Sequence, residues 1–210
     1  MMRLIPPLTI GICGTGHLAR ALGGRWHRAG HDVVFGGRSS ERAGLLAQSV
    51  GAARSGSLRD AVTDVDVAVL AVPWAGVDDM LDIVEATGGA AGLTIIDPIN
   101  PVEHGVGRHL LRSGSAAEYI SSRLSAANVV KAFNVYPATE WDYATNELVV
   151  PLAGDHPGSV ELAHRLVRDV GATPHVLGGL DRARQLEELA GAVIGLAFAG
   201  VNPRSAVPRL

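Results

Sequence analysis

The chain of 210 residues is poor in several residue types, and each scarcity removes a class of function. It has one cysteine, Cys13, and one lysine, Lys131, and three each of Trp, Tyr and Phe. A single cysteine closes no internal disulfide and builds no cysteine metal site, so a reducing compartment, the cytoplasm, is the expected location. Charge of one sign is also lacking: 18 Lys and Arg stand against 21 Asp and Glu, for a net charge of -3. The basic residues are scattered, so no broad positive face attracts a polyphosphate backbone, and nucleic acid is not an expected partner.

Long apolar runs are missing too. The most apolar stretch, residues 189–201, follows Glu187 and Glu188 and falls short of the roughly 20 residues that span a bilayer. It reads as a buried helix, and no membrane partner is expected. Met1 to Pro7 lacks the apolar segment and small-residue cleavage site of an exported precursor, so no targeting signal is expected. No internal repeat or low-complexity linker interrupts the chain. With 47% hydrophobic and 19% charged residues, it has the apolar surface for one compact core.

What is present is an alternation of short β-rich runs with helix-length segments, the pattern of a doubly wound α/β fold. Strands are predicted at 8–13, 32–35, 67–72, 93–97 and 128–132, and these are apolar at successive positions, as strands buried on both faces should be. Helices are predicted at 16–29, 41–50, 75–86 and 115–125. A further strand at 148–153, a helix at 157–170, a short strand near 174–176 and a last helix at 181–200 follow. The organisation expected is a Rossmann-type nucleotide-binding domain over 1–140, with a small C-terminal α/β extension, 141–210, closing the substrate cleft.

Gly11-Ile12-Cys13-Gly14-Thr15-Gly16-His17-Leu18-Ala19 follows the first predicted strand and opens the first helix. Gly14, Gly16 and Ala19 satisfy G-x-G-x-x-G/A: the first glycine permits a tight turn, the second lets backbone approach a pyrophosphate, and the third position requires close helix-to-strand packing. The helix N-terminus then meets the phosphate charge. A solitary glycine turn is weak evidence, but its place in a β-α-β series points to a dinucleotide.

The end of the second strand separates NAD from NADP. An NAD site has a carboxylate there, whereas this chain reads Gly36-Gly37-Arg38-Ser39-Ser40-Glu41-Arg42. Arg38 can make charge-assisted hydrogen bonds to a ribose phosphate, Ser39 adds a donor, and Arg42 lies one helical turn further on. Positive charge at a helix start opposes the helix dipole, which argues for a compensating anion. NADP(H) is the expected cofactor.

With these residues in place, the chain resembles the family of NADPH-dependent reductases of the deazaflavin coenzyme F420. The resemblance runs from about Leu8 to the last helix. Besides the glycine loop and Gly37-Arg38 it includes Val72-Pro73-Trp74, Asp97-Pro98-Ile99-Asn100-Pro101, Ser115-Ala116-Ala117-Glu118 and Lys131-Ala132-Phe133-Asn134-Val135-Tyr136-Pro137-Ala138. It implies that Thr15, Gly16, His17 and Leu18 line the pyrophosphate, and that Gly37, Arg38 and Arg42 meet the ribose phosphate. Val72 and Gly76 would flank the adenosine side, Asn100 and Ala138 would lie near the nicotinamide, and Pro73 and Asn134 are further expected cofactor-binding residues. Coenzyme F420 would be the co-substrate, stacked over that ring. His17 stands where many relatives have asparagine, and Val135-Tyr136-Pro137 replaces the Thr-Leu-Pro or Thr-Ile-Pro associated with the family.

Hydride transfer needs alignment more than acid or base: holding two reacting carbons near contact lowers a barrier by roughly 7 to 11 kcal/mol. No general acid or base is therefore nominated. A reductase of another acceptor (a flavin, a ferric chelate, or a small imine or carbonyl compound) and a non-catalytic NADP sensor stay open. Lys131 reads as a structural salt-bridge residue, Trp74 as core, His104 and His109 as surface or substrate-side residues and not metal ligands, and Cys13 as a packing residue. The apolar last helix makes a homodimer an expectation.

Overall fold

The computed structural model describes residues 6–51, 54–143 and 147–206. Among these described residues eight strands, β1 (Thr9–Cys13), β2 (Asp32–Gly37), β3 (Arg54–Ser57), β4 (Val67–Val69), β5 (Thr94–Asp97), β6 (Asn128–Lys131), β7 (Val149–Gly154) and β8 (Thr173–Gly178), form one sheet in the order β3-β2-β1-β4-β5-β6-β7-β8. From β3 to β6 every neighbouring pair is parallel; β7 is antiparallel to β6, and β8 runs parallel to β7. This is the Rossmann order, extended at one edge by the C-terminal segment. The chain reverses its winding between β1 and β4, which opens a crevice at their C-terminal ends.

Among the described residues six α-helices cover the faces: α1 (His17–Arg28), α2 (Ser40–Ser49), α3 (Val77–Thr87), α4 (Ala116–Arg123), α5 (Pro157–Asp169) and α6 (Ala183–Phe198). α1, α2 and α5 bury one core with Ile10, Ile12 and Phe35, while α3, α4 and α6 bury the other with Leu70, Met80 and Ile95. Trp26 joins elements far apart in the chain, donating its indole N–H to the Leu166 carbonyl at 2.9 Å and meeting Phe133 edge-on at 5.6 Å. Close packing of α1 depends on Gly23, where a Cβ would meet the Phe35 ring at 2.4 Å.

The structure departs from the sequence reading in one additional strand and in several element ends, which shift by one to three residues. β3 was not expected, because Arg-Ser-Gly-Ser carries no apolar signal; it is an edge strand, which needs none. β4 stops at Val69, three residues earlier than the apolar run suggested: Leu70 makes a last bond to the Ile96 carbonyl of β5 at 3.0 Å, and the chain then turns at Ala71, whose N–H bonds back to the Val69 carbonyl at 3.0 Å. The last helix begins at Ala183, after a short 3-10 turn at Leu180–Arg182.

A charged cluster is buried where α6 meets the ends of β5 and β6. The Lys131 ammonium lies 2.8 Å from Asp97 and 2.6 Å from Glu187, all three side chains fully buried, and it also donates to the Ile99 carbonyl at 2.5 Å. Glu187 further accepts the Ala116 backbone N–H at 2.9 Å and faces His109 Nε2 at 2.9 Å. Lys131 is thus the structural ion-pair residue that its place at a strand end suggested. His109 is not a surface residue: its side chain is 7% exposed, held by Glu187 and by the Leu111 backbone. His104 stays exposed, stacked edge-on with Phe198.

Candidate nucleotide-binding site

The groove begins where β1 ends. Gly14 takes φ +139°, a region that L side chains avoid, and a Cβ there would lie 2.1 Å from the Ala71 carbonyl oxygen. The early exit of β4 brings that carbonyl over the turn, and the Gly14 N–H is fixed to the Gly36 carbonyl at 2.8 Å. The turn is therefore held from both neighbouring strands. Gly16, the next motif glycine, is the N-cap of α1 with an extended backbone, and a Cβ there would meet nothing within 4 Å. Its role is to leave the groove open.

No side chain caps α1, and its first turn holds no acid. The leading N–H groups of a helix have no partner within it, so this end is arranged to receive an anion. His17 is exposed in that first turn, Leu18 packs its side chain on the core, and Ala19 is buried against the sheet. His17 and Leu18 thus stand beside the groove and not among the side chains that line it, and their backbone N–H groups are what they can offer.

A cavity of about 610 Å³ extends from this turn across the crevice between β1 and β4, lined by Gly14, Thr15, Gly16, Gly37, Arg38, Val72, Pro73 and Gly76 among the residues singled out by sequence. Gly37 must be small, since a Cβ would sit 2.8 Å from the Thr15 methyl. Arg38 is exposed at the groove, and its guanidinium has no hydrogen bond or ion pair with any described residue. Ser39 caps α2, its hydroxyl accepting the Arg42 N–H at 3.3 Å, while the Arg42 side chain is exposed one turn further on. Sequence reasoning missed Leu58, Ala71, Ala75, Asp79, Met80 and Ile83, which complete the lining.

These features fit a dinucleotide phosphate: two glycines clear a path for a pyrophosphate, an uncapped helix start faces it, and an unpaired guanidinium stands at the end of β2.

Beyond the groove lies a second set. Asn100, at the turn after β5, and Asn134, after β6, are bonded reciprocally: Asn100 Nδ2 donates to the Asn134 carbonyl at 2.7 Å and Asn134 Nδ2 donates to Asn100 Oδ1 at 2.9 Å. Asn134 Oδ1 is buried with no partner among the described residues, and the preceding Phe133 holds φ +63°, an unusual backbone for an aromatic residue. Ala138 starts the 3-10 turn that follows, and Tyr136 is tied away from it by donating to the Val149 carbonyl at 3.1 Å. The Asp97 carboxylate accepts the Ile99 N–H at 2.8 Å, which fixes the turn bearing Asn100.

Cys13, directly before the turn, is fully buried, and desolvation pushes its thiol up to about 12. It is a packing residue, as its small size suggested. Iodoacetamide at about pH 8 is expected to leave the folded protein unlabelled and to label Cys13 in denaturant, read by intact mass. Trp74 packs on the core cluster and meets Tyr119 edge-on at 5.5 Å. Among the described residues no group of three or more His, Cys, Asp or Glu side chains is placed to hold a metal ion, and no helix is long and apolar enough to cross a membrane.

Comparison with known proteins agrees with this geometry. Residues 9–101 match the family described as NADP oxidoreductase, coenzyme F420-dependent. The chain is 28% identical over 207 residues to the F420-dependent NADP reductase of Methanothermobacter thermautotrophicus, covering 88% of this chain and 87% of that one. It is also 30% identical over 182 residues to the rat metalloreductase STEAP3, covering 86% of this chain but spanning 36% of that longer protein. A crystal structure from Arthrobacter sp. FB24, provisionally described as an F420-dependent NADP reductase, shares the fold with a TM-score of 0.80 at 21% identity, covering 93% of this chain and 96% of the other.

Proposed function

We propose that the chain, whose residues 9–101 match the family described as NADP oxidoreductase, coenzyme F420-dependent, transfers a hydride between NADP(H) and the deazaflavin coenzyme F420. The observation that carries the NADP half is the unpaired Arg38 guanidinium on a groove that begins at the Gly14–Gly16 turn. The F420 half is supported by the 28% identity to the methanogen reductase along most of both chains.

When bound, NADPH supplies the hydride from its nicotinamide ring. The protein's part is orientation. The backbone of Thr15 to Leu18 holds the pyrophosphate, Gly37, Arg38, Ser39 and Arg42 hold the ribose phosphate, and Val72, Pro73 and Gly76 flank the adenosine. The unpartnered Asn134 Oδ1 can accept a carboxamide N–H, with Asn100 bonded to Asn134 and Ala138 at the rim. In this reading residues 141–210 close the acceptor's side of the cleft, and the exposed Leu189, Phe198 and Val201 are covered in a homodimer.

The test is NADPH oxidation followed at the nicotinamide absorbance with coenzyme F420, a free flavin or a ferric chelate as acceptor. Rapid oxidation with F420 alone is the expected result. The similarity to STEAP3 is the specific reason for the ferric arm, and turnover there but not with F420 would replace the proposal by a metal-reducing one.

Gly16→Ala separates binding from folding. Its Cβ enters open space, so the melting temperature should stay within about 2 °C of wild type. NADPH affinity should fall by about tenfold or more, because the methyl group takes the place the pyrophosphate needs. Unchanged affinity in a titration would remove the phosphate from this turn.

A further inference from the structure

Away from the glycine turn the groove changes character. Leu58, which follows β3, and Met80 and Ile83 on α3 give it apolar walls, and among the described lining residues one is acidic, Asp79. A carboxylate in a groove meant for a polyanion weakens binding unless it meets a donor on the ligand.

Asp79 and its neighbour Asp78 have different fates. Both sit in the first turn of α3, where an acid suits the helix dipole. Asp78 accepts the Tyr119 hydroxyl at 2.5 Å and pairs with Arg123 at 3.3 Å, which ties α3 to α4. Asp79 is exposed on the groove wall, with no hydrogen bond or ion pair to any described residue, Arg38 of the same groove included. Helix polarity accounts for an acid at both positions, but it does not account for an unpaired one facing the ligand's path.

We infer that Asp79 reads the base: its carboxylate accepts a hydrogen bond from the exocyclic amine of adenine while the purine ring lies against Leu58, Met80 and Ile83. The inference rests on the reading that this groove takes NADP(H). Adenine offers an amino donor at the position concerned, and its deaminated counterpart, hypoxanthine, offers a carbonyl oxygen. Two acceptors would then face each other, one of them charged, and the hypoxanthine nucleotide should be rejected. Asp79 is thereby a specificity residue and takes no part in hydride transfer.

The test is calorimetric titration of the full chain with NADP+ and with nicotinamide hypoxanthine dinucleotide phosphate, for wild type and Asp79→Asn. Wild type is expected to bind NADP+ about tenfold more tightly than the deaminated analogue. In Asp79→Asn the preference should shrink to about twofold or less, because a rotated amide can present either an acceptor or a donor. Equal affinity of the wild type for both nucleotides would overturn the inference and leave the NADP site standing, as would a preference that survives unchanged in Asp79→Asn. Failure of the wild type to bind either nucleotide would remove the site itself, and the base-reading role with it.

Discussion

Arg38→Ala is expected to weaken NADPH binding roughly 10- to 100-fold, which is the effect of losing hydrogen bonds to a charged group. NADH, which has no phosphate on that ribose, should bind within about twofold of its wild-type affinity. The asymmetry is the point. A loss common to both nucleotides would mean that the substitution damaged the turn, whereas a loss confined to NADPH locates the extra phosphate. The guanidinium is exposed and has no partner among the described residues, so its removal breaks no internal contact and the folded state should be unaffected. Arg42→Ala should act in the same direction and less strongly, since its side chain stands one helical turn away and outside the groove lining. Both effects should fade as salt is raised, because exposed charges are screened.

Lys131→Met should be the most destabilising single substitution in this account. It leaves the carboxylates of Asp97 and Glu187 buried without their shared cation, and breaking such a set costs about 3 to 5 kcal/mol. For a chain of this size that lowers the melting temperature by roughly 6 to 20 °C, measurable by calorimetry. Burial already pushes the Asp97 carboxyl up, against the downward pull of Lys131, while Glu187 adds to the rise. Without the lysine, the carboxyl is raised further above its value in the unfolded chain, so the folded variant holds a proton that the unfolded chain gives up. Its deficit relative to wild type should therefore grow as pH rises from about 4 toward neutrality. Glu187→Gln keeps Lys131 paired with Asp97 and should be milder. Equal losses for the two variants would contradict a network centred on the lysine.

The sequence discloses the parts of this molecule that are written locally. Buried parallel strands announce themselves by unbroken apolar runs, and the glycine turn and Arg38 lie within about thirty residues of each other in a β-α-β unit, so motif and spacing suffice to place them. What stayed hidden depends on docking. β3 is a polar edge strand with no pattern to read. Asp79, Met80 and Ile83 reach the groove only because α3 presents that face to it, and helical spacing alone does not say which face will meet a ligand. Glu187 reads in sequence as a charge before an apolar helix, yet it ends fully buried, because its partners Lys131, Ala116 and His109 come from distant stretches. The one hint was the single lysine of an arginine-rich chain, set in a strand that pairs with the strand of Asp97.

The most direct test is a crystal structure of the protein soaked with NADP+. The expected map has the pyrophosphate against the backbone from Thr15 to Leu18 and the ribose phosphate within hydrogen-bonding distance of the Arg38 guanidinium. A nucleotide bound elsewhere, or a guanidinium turned to solvent with the glycine turn bare, would contradict the account at its root.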